Sequence, residues 1–284
     1  MNKNMILKNG MVMPRLGQGT WYMGENSTVK KEEIAALRTG IERGMTLIDT
    51  AEMYGDGASE ILIGEALRHE EREKLFVVSK VYPHNAGKGK LEKSLDQSLQ
   101  RLQMEYLDMY LLHWRGSIPF RETIECMEQM VQKGKIRSWG VSNLDLDEME
   151  ELTSLSGGTH CQLDQVLYHV ASRGVEYSLL PWLTEHQMPL MAYCPMAQGG
   201  TLGRGIYQSP SVQTLSEKYG VSPAVILIAF VLAHPGTIAI PKASQESHVI
   251  ENSKAMDLLL TEEDIALLSK DFPAPVRKEY LDIV

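Results

Sequence analysis

Four polar residues of different types stand at or just beyond the ends of apolar segments: Asp49, Tyr54, Lys80 and His113. Reducing a carbonyl group requires a hydride on carbon and a proton on oxygen. A tyrosine with a pKa of about 10 delivers that proton poorly at neutral pH when it acts alone. A neighbouring ammonium favours the phenolate, and a carboxylate holds that ammonium in place despite burial. These residue types therefore predict an acid–base site in which Asp49 holds Lys80 and Lys80 lowers the pKa of Tyr54. His113 would orient the substrate oxygen.

Each of these residues also has an ordinary structural interpretation when it is taken singly. Asp49 can cap the turn after its strand, and Lys80 can be a surface lysine with its charge in solvent. A lone histidine is more often a satisfied core residue than a catalyst, and Tyr54 can be a packing aromatic. Lys80, however, continues the apolar segment LFVVS, and a buried lysine needs a carboxylate partner. The fold decides between the two interpretations.

Short apolar segments alternate along the chain with longer amphipathic stretches, which include residues 29–43, 59–68 and 120–132. The apolar segments are typical of parallel strands covered on both faces. They span residues 15–21, 45–51, 75–81, 106–114, 136–143, 162–170, 190–196 and 237–243. Eight consecutive strand–helix units close most simply into an α/β fold, a single (β/α)8 TIM barrel domain over residues 1–284. The carboxyl ends of its strands share one mouth, which would gather the four polar residues.

A doubly wound open sheet is the alternative architecture. It normally carries the phosphate-binding pattern GxGxxG after its first strand. Here Gly17-Gln18-Gly19 is followed by Thr20-Trp21-Tyr22, so the third glycine is missing. The sequence therefore favours the barrel.

Both ends of the chain are predicted to lie outside the repeated units. The segment ILK-NG-MVMP predicts an N-terminal β-hairpin whose turn, Asn9-Gly10, has positive φ at both central residues. A short C-terminal helix over residues 261–270 precedes a tail, 271–284, in which prolines prevent further helix. Such a tail can fold across a mouth of the barrel.

Composition excludes several classes of partner. The formal net charge is −9 and no dense block of Lys or Arg occurs, which argues against nucleic acid or an anionic membrane as the main partner. Cys126, Cys161 and Cys194 have irregular spacing and predict reduced thiols, with neither a disulfide framework nor a metal site. The N-terminus lacks the apolar core of a signal peptide, so we expect a cytoplasmic protein.

The longest apolar run, residues 225–233, is far too short to cross a bilayer. It follows Ser222-Pro223, which is typical of an N-cap with proline at the first helical position. The run therefore predicts a buried helix of a soluble protein.

The motifs that carry these residues resemble the aldo-keto reductase family over essentially the whole chain. LIDTAEMYGDGASEILIGEAL is similar to the family signature around its aspartate and tyrosine. VVSKV and YLDMYLLHW resemble the segments that carry its lysine and histidine, and IRSWGVSN resembles its fifth-strand cofactor segment. QVLYH, MAYCPMAQGG and IAIPKA follow in the family's order. The motifs match the family in their order along the chain and in the residues around each site residue, as well as in the site residues themselves.

The resemblance implies a role for each site residue. Tyr54 would be the general acid, assisted by Lys80 and Asp49, with His113 positioning the carbonyl. NADPH would bind first and extended, without a Rossmann fold. The implied cofactor contacts are Tyr193 stacked on the nicotinamide, Ser142, Asn143 and Gln165 on its carboxamide, Lys242 and Ser244 at the adenosine-side phosphate, and Glu251 and Asn252 at the adenine.

The chain departs from the family pattern at His248, where many members have an arginine that grips the 2′-phosphate of NADPH. Neutral histidine is a weaker phosphate partner than a guanidinium. Lys242 remains, so NADP(H) is the expected cofactor, with NAD(H) as a possible second one. We expect a smaller preference for NADPH than arginine-bearing relatives have.

The predicted substrate wall is apolar and comprises Trp21, Tyr22, Met53 and Trp114. For Tyr22 and Met53, ordinary core packing explains the residue equally well. The chain resembles bacterial reductases of the methylglyoxal-reducing type. Small 2-oxoaldehydes are therefore the expected substrates, with reduction of a diketo-sugar acid or of a broad range of aldehydes as alternatives. The resemblance also implies a monomer.

Two functions of other classes are open on sequence alone. In a Schiff-base barrel aldolase, Lys80 would be the nucleophile, which requires a depressed pKa, whereas a partnering Asp49 would raise it. A non-catalytic, cofactor-sensing subunit is the other possibility. The complete set of four polar residues argues against lost catalysis.

Overall fold

The computed structural model describes residues 2–197 and 205–284. Its centre is a sheet of eight parallel strands in which each strand pairs with its neighbours in sequence. The strands within the described residues are β1 (Asn4–Ile6), β2 (Val12–Pro14), β3 (Gly17–Gly19), β4 (Leu47–Asp49), β5 (Phe76–Val81), β6 (Leu107–Leu112), β7 (Ile136–Ser142), β8 (Asp164–Leu167), β9 (Leu190–Tyr193) and β10 (Thr237–Ala239). β1 and β2 form a separate antiparallel pair. Each predicted apolar segment contains one of the eight parallel strands.

The sheet closes on itself between β3 and β10. Parallel bridges join Leu16 to Ala239 and Gly19 to Lys242, and the Gly19 N–H donates to the Pro241 carbonyl at 3.1 Å. The first and last strands are therefore neighbours, as a barrel requires. The predicted (β/α)8 barrel is confirmed, and the open sheet is wrong.

The two glycines of β3 allow close approach of the chain on either side, Gly17 towards β4 and Gly19 towards the segment after β10. A Cβ atom on Gly17 would lie 2.7 Å from the Leu47 carbonyl oxygen, and one on Gly19 would lie 2.7 Å from that of Ile240. Both distances are far inside van der Waals contact, so neither position accommodates a larger side chain without a shift of backbone. The Gly-x-Gly pattern thus reflects close packing between strands.

Helices surround the barrel at the predicted places. Those within the described residues are α1 (Lys30–Glu42), α2 (Ala58–Leu67), α3 (Leu91–Leu102), α4 (Phe120–Gln132), α5 (Leu146–Ser154), α6 (Leu179–Glu185), α7 (Pro210–Tyr219), α8 (Pro223–Ala233), α9 (Glu246–Ser253) and α10 (Glu262–Asp271). Their apolar faces pack on the outside of the strands, and β-strand side chains that point inward form a second, smaller core.

The N-terminal ends of α8 and α10 differ in how they are capped. Thr261 caps α10 through its side chain, and Asp264 bonds back to the Thr261 N–H, which completes a capping box. Ser222 occupies the N-cap position of α8 with Pro223 at the first helical position, as predicted, but its hydroxyl is buried and makes no capping hydrogen bond. Ser222 therefore occupies the N-cap position of α8 without capping the helix through its side chain.

The N-terminal hairpin is present, but its turn differs from the prediction. The Gly10 N–H donates to the Leu7 carbonyl and the Leu7 N–H to the Met11 carbonyl, which gives a longer loop than two residues. Only Gly10, with φ of 85°, adopts positive φ, and Asn9 does not. The loop is a turn followed by a one-residue bulge, a common three-residue connection. Leu7 and Met13 join the inner core and cover the amino end of the barrel.

Among the described residues, no single helix is long and apolar enough to cross a membrane, and α7 and α8 meet that criterion only as a pair bent by 95°.

The three cysteines are free, and two of them, Cys126 and Cys161, are buried as expected. Cys194 is only half-buried and lies at the mouth of the barrel, directly after β9.

Arg15 joins the beginning of the barrel to its end. Its side chain is buried, with Nε donating to the Thr237 carbonyl at 3.0 Å. Nη2 donates to the carbonyls of Leu232 and His234, at 2.8 and 2.6 Å. These acceptors lie at the end of α8 and the start of β10, so one guanidinium satisfies three carbonyl groups across the closure.

We expect Arg15→Leu to lower the free energy of unfolding by roughly 2–4 kcal/mol, because several buried carbonyls lose their donor at once. Urea unfolding followed by circular dichroism measures the change. Arg68→Leu, which removes an exposed arginine, is the matched control and should change stability little. Equal effects of the two substitutions would contradict a role for Arg15 in closure.

Candidate active site

The carboxyl ends of the strands bring the predicted polar residues together at one mouth of the barrel. Asp49 is the last residue of β4, Lys80 lies in β5, and His113 directly follows β6. Tyr54 begins a short 3-10 turn, Tyr54–Gly57, that continues into α2. Asp49 pairs with Val78 in the register of β4 and β5, so Lys80, two residues further along, points to the same side of the sheet.

Lys80 has an acceptor for each of its three N–H groups. Nζ donates to Asp49 Oδ2 at 2.8 Å, to the Thr50 carbonyl at 2.8 Å and to Tyr54 Oη at 3.0 Å. The Lys80 side chain has no exposure to solvent. This geometry suits a charged ammonium, which carries three donors and no acceptor. It also leaves the hydroxyl proton of Tyr54 available to another partner, because Oη is the acceptor towards Lys80.

Burial acts in opposite directions on the two charged groups of the pair. It lowers the pKa of Lys80 and raises the pKa of Asp49, while the attraction between the two charges opposes both shifts. A hydrogen bond from Gln165 also favours the ionised form of Asp49. Asp49 raises the pKa of Lys80, as expected, but burial lowers it by more, so the net direction is downward.

The pKa of Tyr54 is raised well above its ordinary value of 10.0, and the predicted decrease is wrong. Burial of the phenol is the largest cause, and the negative charge of Asp49 adds to it. Because Asp49 stands beside Lys80, the ammonium does not present an uncompensated positive charge to the phenol. Tyr54 therefore keeps its proton at neutral pH.

His113 stands against the ring of Tyr54, edge to face, with 5.9 Å between ring centroids. Burial and the charge of Lys80 lower its pKa from 6.5 to about 2, so the imidazole is neutral. Nδ1 is buried and has no hydrogen-bond partner among the described residues. The ring nitrogen that can act on a molecule in the mouth is therefore Nε2.

A second hydrogen-bonded group lies beside these residues at the ends of β7, β8 and β9. Asn143, which has a positive φ of 58°, donates through Nδ2 to the His113 carbonyl at 3.1 Å and accepts from Tyr193 Oη at 2.9 Å. Ser142 Oγ donates to the Gln165 carbonyl at 2.8 Å. These bonds fix the amide of Asn143 and the ring of Tyr193 at the mouth.

One cavity of about 920 Å³ opens at this mouth. Twelve predicted site residues line it: Trp21, Tyr22, Asp49, Met53, Tyr54, His113, Trp114, Ser142, Asn143, Gln165, Tyr193 and Lys242. Lys80 lies behind the cavity wall, in contact with Tyr54 and Asp49. Ser244, His248, Glu251 and Asn252 are on the loop after β10 and on α9, away from that wall.

Two of the outer residues have surroundings that the sequence did not indicate. Glu251 accepts from the Ser222 N–H at 3.1 Å and from Lys254 Nζ at 2.6 Å, so its carboxylate joins α9 to the start of α8. Asn252 is almost fully buried. His248 is exposed. The implied adenine and 2′-phosphate contacts of these residues stay predictions.

Several residues of the cavity wall were not predicted from the sequence. They are Gly19, Thr20, Arg115, Glu148, Cys194, Pro195, Met196, Ala197, Tyr207, Ile240, Ile283 and Val284. Most lie near a predicted site residue: Arg115 directly follows the predicted segment 106–114, and Cys194 lies within the predicted segment 190–196, next to Tyr193. Glu148 and Tyr207 lie on neighbouring helical segments and leave no such signal.

The C-terminal tail crosses the mouth, as the sequence analysis anticipated. Ile283 and Val284 form part of the cavity wall. Ser172 Oγ donates to Asp282 Oδ2 at 2.6 Å and so attaches the tail to the loop after β8. The tail therefore limits the size of the opening.

An aromatic group borders the other side of the cavity. The rings of Trp21 and Tyr22 stack with centroids 4.6 Å apart, and Tyr22 is 61% exposed. Tyr22 adopts a positive φ of 65°, which is uncommon for a bulky residue. Both rings belong to the mouth, so the alternative of ordinary core packing is wrong for Tyr22.

Comparison with known proteins adds an independent finding. Residues 15–270 match the aldo/keto reductase family. Methylglyoxal reductase YeaE of Escherichia coli (strain K12) is 51% identical over 285 residues, which cover 100% of both chains. Glyoxal reductase of Bacillus subtilis (strain 168) is 32% identical, covering 93% of this chain and 92% of its own.

A solved structure gives the same result in three dimensions. The crystal structure of an aldo/keto reductase from Klebsiella pneumoniae in complex with NADP and acetate has a TM-score of 0.97 to this chain. The two sequences are 49% identical, and the match covers 100% of each chain.

The lowered pKa of His113 predicts a specific dependence of stability on pH. Below the ordinary pKa of 6.5, the unfolded chain binds a proton on this histidine that the native chain excludes, so the free energy of unfolding falls as the pH falls. Between about pH 6 and about pH 4.5, we expect this decrease to be steeper in the wild-type protein than in His113→Asn by up to about 1.4 kcal/mol per pH unit.

Urea unfolding at a series of pH values measures both slopes. Comparing slopes removes any loss of stability that the substitution causes at every pH. Parallel pH dependence of the two proteins would mean that His113 titrates normally in the native state.

Proposed function

We propose that this chain, which belongs to the aldo/keto reductase family and reduces carbonyl groups with NADP(H), acts on methylglyoxal and other small 2-oxoaldehydes with Tyr54 as the general acid. The observation that carries the proposal is the 3.0 Å contact in which Lys80 Nζ donates to Tyr54 Oη at the wall of the cavity. The sequence similarity to a methylglyoxal reductase and to a glyoxal reductase supports the substrate class.

Tyr54 is suited to donating a proton rather than removing one. Its raised pKa keeps the phenol protonated at neutral pH, and its hydroxyl proton is not used by Lys80. An alkoxide forming from a carbonyl oxygen is much more basic than a phenolate, so proton transfer from Tyr54 runs downhill as hydride arrives. NADPH supplies that hydride when it is bound. Lys80 then stabilises the phenolate that remains, through the hydrogen bond already in place.

His113 would orient the carbonyl oxygen towards Tyr54. As a neutral imidazole it can donate one hydrogen bond from Nε2 without competing as an acid. Its main-chain carbonyl also accepts from Asn143, which ties the substrate side of the mouth to the cofactor side.

The other cavity residues fit a nicotinamide with its carboxamide. Ser142, Asn143 and Gln165 would hold the carboxamide, and the ring of Tyr193, fixed by Asn143, would stack on the nicotinamide. Further out, we propose that the adenosine-side phosphate contacts Lys242, Ser244 and His248. Glu251 and Asn252 would serve the adenine.

The charges around the cavity favour an uncharged carbonyl compound over a sugar acid. Arg115 lines the wall, but Glu151 binds its guanidinium at 2.6 and 3.1 Å, and Glu148 lies 3.7 Å away. Its charge is therefore largely neutralised. Apolar walls from Trp21, Met53 and Trp114, with the tail across the opening, suit a compact substrate such as a 2-oxoaldehyde.

The barrel aldolase is not supported. Burial does lower the pKa of Lys80, as an aldolase nucleophile requires, but all three N–H groups are bonded and the side chain is not exposed. A substrate carbonyl has no route to Nζ. The complete group of Asp49, Tyr54, Lys80 and His113 also argues against a subunit that only senses cofactor.

We expect Tyr54→Phe to lower kcat with methylglyoxal by about 10²- to 10⁴-fold, because it removes only the transferable proton. NADPH binding, measured by fluorescence titration, should change little. Turnover is followed by the loss of NADPH absorbance with a panel that includes glyoxal, an aromatic aldehyde and a diketo-sugar acid.

Tyr22→Phe is the matched control, because it removes a hydroxyl from the same cavity without touching Lys80. It should retain most of the activity. Undiminished turnover in Tyr54→Phe would exclude Tyr54 as the acid, and a preference for the sugar acid would exclude 2-oxoaldehydes as the substrate class.

The preference for NADPH over NADH should rise in His248→Arg, because a guanidinium forms bidentate bonds to a phosphate. We expect the ratio of kcat/KM values for the two cofactors to increase about tenfold, the effect of one good charge-assisted hydrogen bond. Ser247→Arg places the same charge one residue away and controls for general attraction. An equal increase in Ser247→Arg would contradict the assignment of position 248, and a wild-type enzyme that prefers NADH would contradict the choice of NADP(H).

A further inference from the structure

The carboxylate of Asp49 is held from two sides. Lys80 Nζ donates to Oδ2 at 2.8 Å, and Gln165 Nε2 donates to Oδ1 at 2.7 Å. All three residues are buried, with exposures of 2% or less. Both oxygens therefore have a donor, and the position of Asp49 depends on Gln165 as much as on Lys80.

The orientation of the Gln165 amide follows from chemistry. An ionised carboxylate can only accept hydrogen bonds, so Nε2 and not Oε1 must face Asp49. The second N–H of Nε2 faces Met191 Sδ, at 2.9 Å. Gln165 also lines the cavity, so Oε1 is the atom it offers to a bound molecule. One side chain thus contacts both the buried charge pair and the proposed carboxamide site.

This arrangement forms a continuous chain of hydrogen bonds. Gln165, at the cavity, donates to Asp49. Lys80 donates to the same carboxylate and also to Tyr54. Hydrogen bonds in such a chain polarise one another when the surroundings are of low dielectric. An amide that accepts a bond at Oε1 becomes a stronger donor at Nε2. Asp49 is then better neutralised, and Lys80 exerts more of its positive charge on Tyr54.

We propose that Gln165 is a positioning residue that couples occupation of the carboxamide site to proton donation by Tyr54, through Asp49 and Lys80. The inference rests on the proposed function, because it takes Tyr54 as the general acid. Gln165 would then have a second role besides holding the cofactor, namely promoting proton donation by Tyr54.

Two substitutions separate these tasks. Gln165→Met keeps the length and approximate volume of the side chain but removes both amide donors. Ser142→Ala alters the same proposed carboxamide site, yet Ser142 bonds to the Gln165 carbonyl and to Asn143 and not to Asp49. At saturating NADPH, we expect Gln165→Met to lower kcat about tenfold and to enlarge the solvent isotope effect, because proton transfer becomes slower. Ser142→Ala should mainly weaken NADPH binding, with a smaller fall in kcat than Gln165→Met and without the enlarged solvent isotope effect.

Gln165→Glu gives a pH profile that a merely structural role would not produce. When its carboxyl is protonated it can still donate to Asp49, and when it is ionised it cannot. We therefore expect kcat of Gln165→Glu to fall as the pH rises through the ionisation of that carboxyl. The wild-type enzyme, whose amide does not titrate, should show no such step over the same range.

Binding of NADPH to the free enzyme provides a readout without turnover. Affinities of the wild type, Asp49→Asn, Gln165→Met and the double variant form a thermodynamic cycle. We expect Asp49→Asn to change the affinity by a different factor in the two Gln165 backgrounds, because the effect travels through the amide. Additive effects would overturn the coupling. Circular dichroism and thermal unfolding show whether each variant is folded.

The results distinguish this inference from the proposed function. If Tyr54→Phe is inactive while Gln165→Met loses only NADPH affinity, the coupling is wrong and the function stands. If Tyr54→Phe remains active, the function itself fails whatever the Gln165 variants do.

Discussion

The positive charge of Lys80, carried on a side chain with no contact with solvent, constrains the whole mouth of the barrel. Removing an ammonium from water is costly unless an acceptor meets each of its N–H groups and a negative charge lies close by. Those acceptors come from Asp49, Thr50 and Tyr54, all within six residues at the end of β4. The turn after β4 must therefore place a carboxylate, a carbonyl and a phenol around one nitrogen, and little freedom remains for the phenol.

Much of the architecture could be predicted because it depends on local pattern. The eight apolar segments each contain a strand, and residues 120–132 form α4 as predicted. The mouth residues were predictable for a related reason, since parallel strands must end on the same side and a polar residue at such an end is conspicuous. The convergence of Asp49, Lys80 and His113 thus follows from topology once the barrel is accepted.

The pKa values of the site, its long-range contacts and the exact turn geometry depend on the folded arrangement, which the sequence does not show. Burial of the phenol and the negative charge of Asp49 both raise the pKa of Tyr54, whereas the residue types alone suggested the opposite direction. The role of Gln165 beside Asp49 depends on a contact between residues 116 positions apart. The turn at Gly10 shows the same limit locally, because Asn9-Gly10 suits two loop geometries and the strand register selects one.

The closure of the barrel has a consequence for its synthesis. Arg15 bonds to Thr237 across 222 residues, so the pairing of the first and last strands has very high contact order. While the chain is being made on the ribosome, β3 has only one of its two neighbours and presents an unpaired edge. Closure must wait until β10 has been translated, so the final step of folding comes after most of the nascent chain has emerged. During that interval, the unpaired edge of β3 is open to association with other chains.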